Sequence, residues 1–177
     1  MIDIKKIQSH FPPMLHAQNY TASVVREYLQ FMIMDYLSNT RYARMVTFIG
    51  GTCLRLVHGI DRFSEDLDFD NRGLREDEFE QLSHMVKHQL ELDGYIVEIR
   101  NVYKGAYRCY VKIPRLLFDN KLSGYEQEKI LIQLDTAPHH YAYQPDMVPL
   151  NKFDVFTDIY VTPVAILLAQ KIFAIFD

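Results

Sequence analysis

Residues 48–70, FIGGTCLRLVHGIDRFSEDLDFD, place two adjacent glycines sixteen residues ahead of a pair of alternating aspartates. The apolar run MVTFI at 45–49, just before the glycines, is rich in β-forming residues and predicts a buried strand. TCLRLVHG at 52–59 then predicts a short helix that ends at Gly59, and DLDFD at 66–70 alternates as a second strand. The helix and the returning strand would bring the glycine turn beside the aspartates.

The two aspartates are the first part of a candidate site. Residues i and i+2 of a strand point to the same face about 7 Å apart, so Asp66 and Asp68 would project side by side. Carboxylates this close repel each other unless a cation lies between them, and their hard oxygens suit Mg²⁺ or Mn²⁺. Taken alone, the alternation is more often the solvated face of an ordinary strand, and Asp70 either extends that face by one more carboxylate or lies beyond the metal site.

Gly50 and Gly51 are the second part of the candidate site. Glycine after a buried strand lets the backbone approach a ligand closely, and the following helix offers free N–H groups to phosphate. With Thr52, the pair resembles a phosphate cradle that lacks the lysine pattern of a P-loop. A Gly-Gly pair alone is more often a simple turn, but next to the aspartates it predicts a triphosphate site that faces a metal site.

Two distant residues, Asp135 and Lys171, could complete such a site. Asp135 ends the apolar strand KILIQLDT at 129–136, where it is either a cap or a third metal ligand that activates an incoming hydroxyl. Lys171 lies in VTPVAILLAQKIFAIFD at 161–177, a predicted helix that is apolar on nearly every face. A lysine there either snorkels to solvent or meets a fixed anion such as a nucleotide phosphate.

The rest of the chain predicts an α+β domain with a mixed β-sheet flanked by helices. We expect one domain over 1–177, with an N-terminal helical segment at 1–40 and a catalytic core at 41–177. The three β-type runs of the core are expected to be antiparallel neighbours. The further predicted elements are a helix over 23–39, a helix over 75–94, β-type runs at 95–103, 108–113 and 129–136, a possible strand near 155–161, and a final helix from Thr162 and Pro163.

Composition narrows the class of protein. The 177 residues carry a formal net charge of −4, which argues against a protein that coats nucleic acid through bulk charge. Cys53 and Cys109 lie in apolar stretches without metal-ligand spacing, so we interpret them as reduced core thiols of a cytoplasmic protein. The apolar stretch at 161–176 is too short to cross a bilayer, and the N-terminus lacks the apolar core of a signal peptide. No membrane partner is therefore expected.

The opening stretch resembles the AbiEii/AbiGii toxin family, within the wider DNA polymerase β-like nucleotidyltransferases. Members of that family carry Gly-Gly-Thr-x-Leu-x-x-x-x-Gly followed by Arg-Phe-Ser-x-Asp-x-Asp-Phe. The strand ILIQLD and the helix PVAILLAQKIFAIFD also look like the family's third-acid strand and lysine helix. The residues that match the first motifs are Gly50, Gly51, Thr52, Leu54, Gly59, Arg62, Phe63, Ser64, Asp66, Asp68 and Phe69.

The resemblance implies a nucleotidyltransferase fold and Mg²⁺- or Mn²⁺-dependent transfer of a nucleoside monophosphate from an NTP, with release of pyrophosphate. It implies that Asp66 and Asp68 bind both metals and that Asp135 binds the catalytic metal and orients the acceptor. The implied phosphate contacts are Gly50, Gly51, Thr52, Ser64 and Lys171. Family members act as toxins in toxin–antitoxin or abortive-infection systems, and some modify tRNA ends. A tRNA acceptor and a cognate antitoxin are therefore the expected partners.

Other interpretations remain open at this point. In the family, the lysine helix is followed by a further helical region, which is expected to be missing here because the chain stops at Asp177. A catalytically incomplete fragment that binds a nucleotide or a partner is therefore the alternative. A metal-dependent phosphodiesterase would need clustered His and Asp ligands, which only the predicted loop at His139 and His140 offers. The same loop could instead contact the acceptor.

The arginines of the chain leave a further alternative. They either lie scattered on the surface or form a rim that faces RNA. The residues in question are Arg41, Arg44, Arg55, Arg62, Arg72 and Arg108.

Overall fold

The computed structural model describes residues 2–138 and 142–176, with side chains described as far as Ile172. The described strands are β1 (Val46–Ile49), β2 (Leu67–Asn71), β3 (Glu98–Lys104), β4 (Ala106–Pro114), β5 (Lys129–Pro138), β6 (Asp146–Lys152) and β7 (Val155–Val161). The described α-helices are α1 (Ile4–Gln8), α2 (Thr21–Ser38), α3 (Gly50–Leu56), α4 (Glu76–Leu92), α5 (Leu116–Asp119) and α6 (Val164–Phe176). Short 3₁₀ turns at Pro13–His16, Gln18–Tyr20 and Ala43–Met45 lead into α2 and β1.

The described strands form one mixed sheet in the order β3-β4-β5-β2-β1-β7-β6. β1 pairs antiparallel with β2 and parallel with β7, while β2 pairs parallel with β5. β3, β4 and β5 are antiparallel neighbours, which confirms the prediction for the three β-type runs. The two strands of the opening stretch therefore lie next to each other within the sheet, with β5 directly beside β2.

One face of the sheet is covered by α2 and α4. The ring of Phe79 in α4 packs against Tyr103 of β3 and Tyr107 of β4. Because side chains alternate along a strand, Arg108 and its i+2 neighbours point to the opposite face. The buried residues on the helix side include Val24, Val25, Leu29 and Ile33 of α2, Leu82, Val86 and Leu90 of α4, and Cys109 and Val111 of β4.

Two local predictions were wrong. The sequence predicts no strand between 136 and 155, but Asp146–Lys152 forms the edge strand β6, paired with β7. Pro149 masked its β character, yet an edge strand tolerates proline because one side of its backbone needs no donor. α3 was predicted to begin after the glycine pair but begins at Gly50, so both glycines belong to the first turn of the helix.

The strand near 155–161 and the final helix are confirmed as β7 and α6. None of the described helices is long and apolar enough to span a membrane.

A buried ion-pair cluster joins α2, α3 and the end of β6. Glu27 of α2, only 3% exposed, accepts hydrogen bonds from Arg55 Nε at 2.8 Å and from Lys152 Nζ at 2.7 Å. The Lys152 ammonium also lies 3.8 Å from the centre of the Phe11 ring. Arg55, which sequence reasoning considered for an RNA-facing rim, is therefore a structural residue that ties α3 to α2.

Candidate active site

Strand register brings two of the three predicted acids to one level of the sheet, since β2 and β5 run parallel with Asp68 opposite Asp135. Asp66 lies just before β2, close enough for its charge to act on Asp68. The row continues on β4 with Arg108, opposite Asp135, and on β1 with Ile49, opposite Asp68. We refer to this set, Ile49, Asp68, Asp135 and Arg108, as the acid row.

A cavity of about 330 Å³ opens beside the acid row. Its walls include Asp68, Asp135, Gly50 and Lys171, so four of the predicted site residues share one space. Further wall residues are Leu54 of α3, Leu167 and Gln170 of α6, and Ala106 and Ala137 of the neighbouring strands. A cavity of this size, mostly apolar with a few charged groups, is typical of a small-molecule site.

Gly50 lets the carboxylate of Asp68 lie against the first turn of α3. Its φ of +79° is in the left-handed region, which favours glycine. A Cβ added at Gly50 would lie 2.9 Å from both Cβ and Cγ of Asp68, and closer still to Oδ2. Only glycine fits there. The sequence pairing of Gly50 with the aspartates thus has a steric basis.

Ser64 and Thr52, the two hydroxyls implied as phosphate contacts, are placed differently from each other. The Ser64 Oγ lies 3.0 Å from the position that a Cβ of Gly51 would take, so this hydroxyl faces the glycine pair. Thr52 is fully buried, and its hydroxyl donates a hydrogen bond to the backbone carbonyl of Asp66. The Thr52 side chain therefore holds the start of β2 against α3 and is not directed at a phosphate.

Negative charge accumulates at Asp68. Burial, reinforced by Asp135 and Asp66, raises the pKa of the Asp68 carboxyl from 3.8 to about 6. Burial and Asp135 also raise the pKa of Asp66, although that side chain is more exposed. Lys171 and Arg108 lower the pKa of Asp68 but do not cancel the rise. A cation bound beside Asp68 would stabilise its ionised form and lower this pKa.

Asp135 is held by two side chains of the same sheet face. Arg108 Nε lies 2.8 Å and 3.0 Å from the two carboxylate oxygens, and Gln133 Nε2 donates to Oδ2 at 3.0 Å. Within the described part of the chain, no three His, Cys, Asp or Glu side chains form a ready-made metal cluster. Mg²⁺ usually takes one or two carboxylates together with substrate phosphates, so the donor chemistry of Asp66 and Asp68 fits it without a full protein cage.

Lys171 extends from α6 toward this cavity. Its side chain is exposed and lines the cavity, and its charge lowers the pKa of Asp68. The sequence left open whether this lysine snorkels to solvent or meets a fixed anion. In the structure it does both, because it reaches solvent within the cavity that holds the acids.

Comparison with known proteins places this geometry in a family. Residues 33–177 match the family model described as "Nucleotidyl transferase AbiEii toxin, Type IV TA system". The chain belongs to the AbiEii family. The match covers the glycine pair, the acid row and α6, and it confirms the resemblance inferred from the opening stretch. A comparison with curated proteins gave no match.

Solved structures similar to this AbiEii chain include MenT4, the nucleotidyltransferase toxin Rv2826c from Mycobacterium tuberculosis H37Rv. The two are 17% identical with a TM-score of 0.66, over 97% of this chain and 58% of MenT4. JHP933 from Helicobacter pylori is 19% identical with a TM-score of 0.55, over 84% of this chain and 55% of that one. At these identities the likeness shows the shared fold. This AbiEii chain spans little more than half of either protein.

Arg108 is the site residue that sequence reasoning missed, since it grouped this residue with the candidate rim arginines. The pairing of β4 with β5 decides its position, and the sequence predicted that pairing without its register. Three of the other candidate rim arginines, Arg41, Arg55 and Arg72, bond to groups elsewhere in the fold. Arg41, for example, bonds Gln81 of α4, and Arg72 bonds the carbonyl of Tyr143.

Asp66 and Asp70 do not line the cavity. Asp70 accepts a hydrogen bond from the Tyr143 hydroxyl at 2.6 Å and is buried beyond the acid row. His139 and His140 lie outside the described residues.

Replacing Asp68 with asparagine is expected to stabilise the metal-free AbiEii chain at pH 8. Because the folded state raises the pKa of Asp68 from 3.8 to about 6, the protonated carboxyl stabilises the fold fully below about pH 4. This stabilisation is lost as the pH rises through about 6. At pH 8 the ionised carboxylate therefore costs the fold up to about 3 kcal/mol, at about 1.4 kcal/mol per pKa unit. Urea unfolding in EDTA at pH 8 and pH 4 measures the difference. Asp158→Asn, at an exposed position on β7, is the control, and a destabilised Asp68→Asn variant at pH 8 would contradict the prediction.

Proposed function

We propose that this chain transfers a nucleoside monophosphate from an NTP to a hydroxyl of an acceptor RNA, with tRNA as the acceptor class. The observation that carries the proposal is the single cavity that Gly50, Asp68, Asp135 and Lys171 line together. A site for this reaction must hold a polyphosphate, neutralise its charge and accept a proton from the attacking hydroxyl. These four residues supply the groups for all three tasks.

The substrate phosphates would lie between α3 and α6. Gly50 lets Asp68 lie against the first turn of α3, so that a cation held by Asp68 would be beside these phosphates, and Lys171 would pair with the triphosphate. Ser64 would donate a hydrogen bond from beside Gly51. Leu54 and Leu167 would exclude water, which strengthens every charge interaction within the cavity.

Asp66, Asp68 and Asp135 are the groups that would hold a divalent cation, Mg²⁺ or Mn²⁺. When bound, this cation would neutralise charge on the transferring phosphoryl group and favour ionisation of the acceptor hydroxyl. Asp135 would orient that hydroxyl and take up its proton at a carboxylate oxygen, after release from Arg108. The bond from the acceptor oxygen to the α-phosphorus then forms as the bond to the bridging oxygen breaks, and pyrophosphate leaves.

The test is label transfer from each α-labelled NTP to tRNA in the presence of Mg²⁺. We expect transfer by the wild-type chain and a loss of at least about a thousandfold in the Asp66→Ala, Asp68→Ala double variant, because both acids that hold the cation are gone. Asp158→Ala, an exposed acid on β7, should keep wild-type activity. Transfer that survives in the double variant would reject the site assignment.

The Arg108–Asp135 pair favours a second candidate function, a nucleotide- or partner-binding module without catalysis. In this alternative Arg108 stays bonded to Asp135, and Asp135 is never free to bind a cation or to accept a proton. Calorimetric titration with Mg²⁺–NTP separates the two. Binding without label transfer supports the module, whereas binding with transfer supports the enzyme. In either case we propose a cognate antitoxin as partner, as the description of the family as a type IV toxin–antitoxin system suggests.

A further inference from the structure

The sheet surface beside the acid row continues along β3, β4 and β5. Strand register places Arg100, Tyr110 and Gln133 in the next row, and Lys112 and Leu131 in the row beyond it. Same-face residues along a strand are about 7 Å apart, so these rows follow one another without a gap. We call this surface the open face, consisting of Glu98, Arg100, Tyr110, Lys112, Leu131 and Gln133; Lys104 is on the same sheet face but past the acid row, opposite Ala106.

The open face is directed away from the helices that form the core. The alternate residues of β3 and β4 point to α4, where Asn101 donates to Ser83 at 2.8 Å and Phe79 packs on Tyr103. Arg100 is exposed, and even Leu131 is 37% exposed. The surface is therefore accessible over the length of these strands.

The open face is basic although the whole chain is acidic. Within the described residues, Arg100 and Lys112 form no ion pair with an acid. Glu98, which lies opposite Lys112, is itself neutralised by Lys129 at 3.1 Å. The local charge is thus opposite in sign to the net charge of −4, and it favours a polyanionic ligand at this place.

Tyr110 lies at the centre of this basic surface. The Arg100 guanidinium carbon is 5.6 Å from the centre of its ring, and Arg108, two residues earlier on β4, shares the same sheet face. A partly exposed aromatic ring flanked by guanidinium groups is the type of platform on which proteins stack unpaired bases. Bases are available for such stacking in single strands, whereas an A-form duplex hides them.

We propose that the open face binds the single-stranded end of the acceptor RNA. A base stacks on Tyr110, backbone phosphates contact Arg100 and Lys112, and the terminal hydroxyl reaches Asp135 one row further along. This assignment rests on the proposed nucleotidyl transfer for its biological purpose. The binding itself needs neither NTP nor metal, so it can be measured separately.

The first experiment measures fluorescence anisotropy of a labelled, unstructured RNA of about ten nucleotides, in EDTA and without NTP, over a range of KCl concentrations. For Arg100→Ala, Lys112→Ala we expect about tenfold weaker binding, and a slope of log affinity against log salt that is shallower by about 1.4, since each lost phosphate contact contributes about 0.7. The control Lys5→Ala, Lys87→Ala removes the same charge from exposed or partly exposed positions on α1 and α4 and should keep the wild-type slope.

The second experiment tests stacking at Tyr110. Tyr110→Leu is expected to weaken binding about tenfold, whereas Tyr110→Phe, which keeps the ring, should bind within about twofold of wild type.

Equal salt slopes in the Arg100/Lys112 variant and its control would overturn the proposal. If that variant instead escapes antitoxin neutralisation while binding RNA normally, the face belongs to a protein partner. RNA binding that depends on these residues, in a chain that transfers no label, upholds the surface and overturns only the proposed reaction.

Discussion

Replacing Gly50 with alanine is expected to lower the free energy of unfolding by about 2–5 kcal/mol and to abolish nucleotide transfer. A left-handed φ of +79° costs an L-residue about 1–2 kcal/mol. The new Cβ would also meet the Asp68 side chain at under 3 Å, and overpacking of this kind costs about 1–3 kcal/mol. Relief of the clash requires Asp68 to move out of the acid row. Nucleotide transfer should therefore be lost even under conditions in which the variant is still folded.

Gly59 provides a matched control for this substitution. Its φ is +71°, but a Cβ there would meet nothing within 4 Å. Gly59→Ala should therefore show only the backbone strain of about 1–2 kcal/mol and retain activity. A double-mutant cycle of Gly50→Ala with Asp68→Ala isolates the clash, because removal of the carboxylate should recover part of the lost stability. Equal losses for Gly50→Ala in both backgrounds would contradict the proposed contact.

Replacing Glu27 with glutamine is expected to lower the free energy of unfolding by about 3–5 kcal/mol, as for other buried pairs that lose one partner. The variant would leave Arg55 and Lys152 facing a neutral amide at a site where Glu27 is only 3% exposed. Burial already lowers the pKa of Lys152, and Glu27 is the group that opposes this effect. Urea denaturation at pH 7 measures the loss.

Glu65→Gln is the control for Glu27. Glu65 also pairs with an arginine, Arg26 at 2.7 Å, but its side chain is 70% exposed. The control should therefore lose no more than about 1 kcal/mol. Replacing Glu27, Arg55 and Lys152 together by leucine should recover much of the loss, because a whole buried ion-pair cluster can often be exchanged for apolar residues. A Glu27→Gln variant as stable as Glu65→Gln would show that the cluster is not desolvated as described.

Local patterns were enough to predict much of the site. The spacing of Asp66 and Asp68, the preceding glycine pair and the buried strand before it are all properties of neighbouring residues. They predicted β1, α3 and β2, and the β-type run at 129–136 predicted β5. The choice of Asp135 and Lys171 as further members drew on chemistry and on the family resemblance, and the structure brings both to the same cavity.

The features that sequence reasoning missed depend on contacts between distant segments. The position of Arg108 beside Asp135 follows from the register of β4 on β5, which alternation alone does not determine. The Thr52 hydroxyl bonds a carbonyl fourteen residues away, so its inward orientation needs the packed α3–β2 corner. β6 was missed because Pro149 is unfavourable in a central strand, and its edge position is known only once β7 has been placed.

The parallel pairing of β2 with β5 also determines when the site can exist. Asp68 and Asp135 are sixty-seven residues apart in the chain and meet only through that pairing. The entropy of closing the long intervening segment opposes such a non-local pairing until its contacts form. During synthesis, a nascent chain that has exposed the glycine pair and both first aspartates still lacks the third acid and the lysine. The site proposed for nucleotide transfer is therefore complete only after α6 has emerged and packed beside β2 and β5.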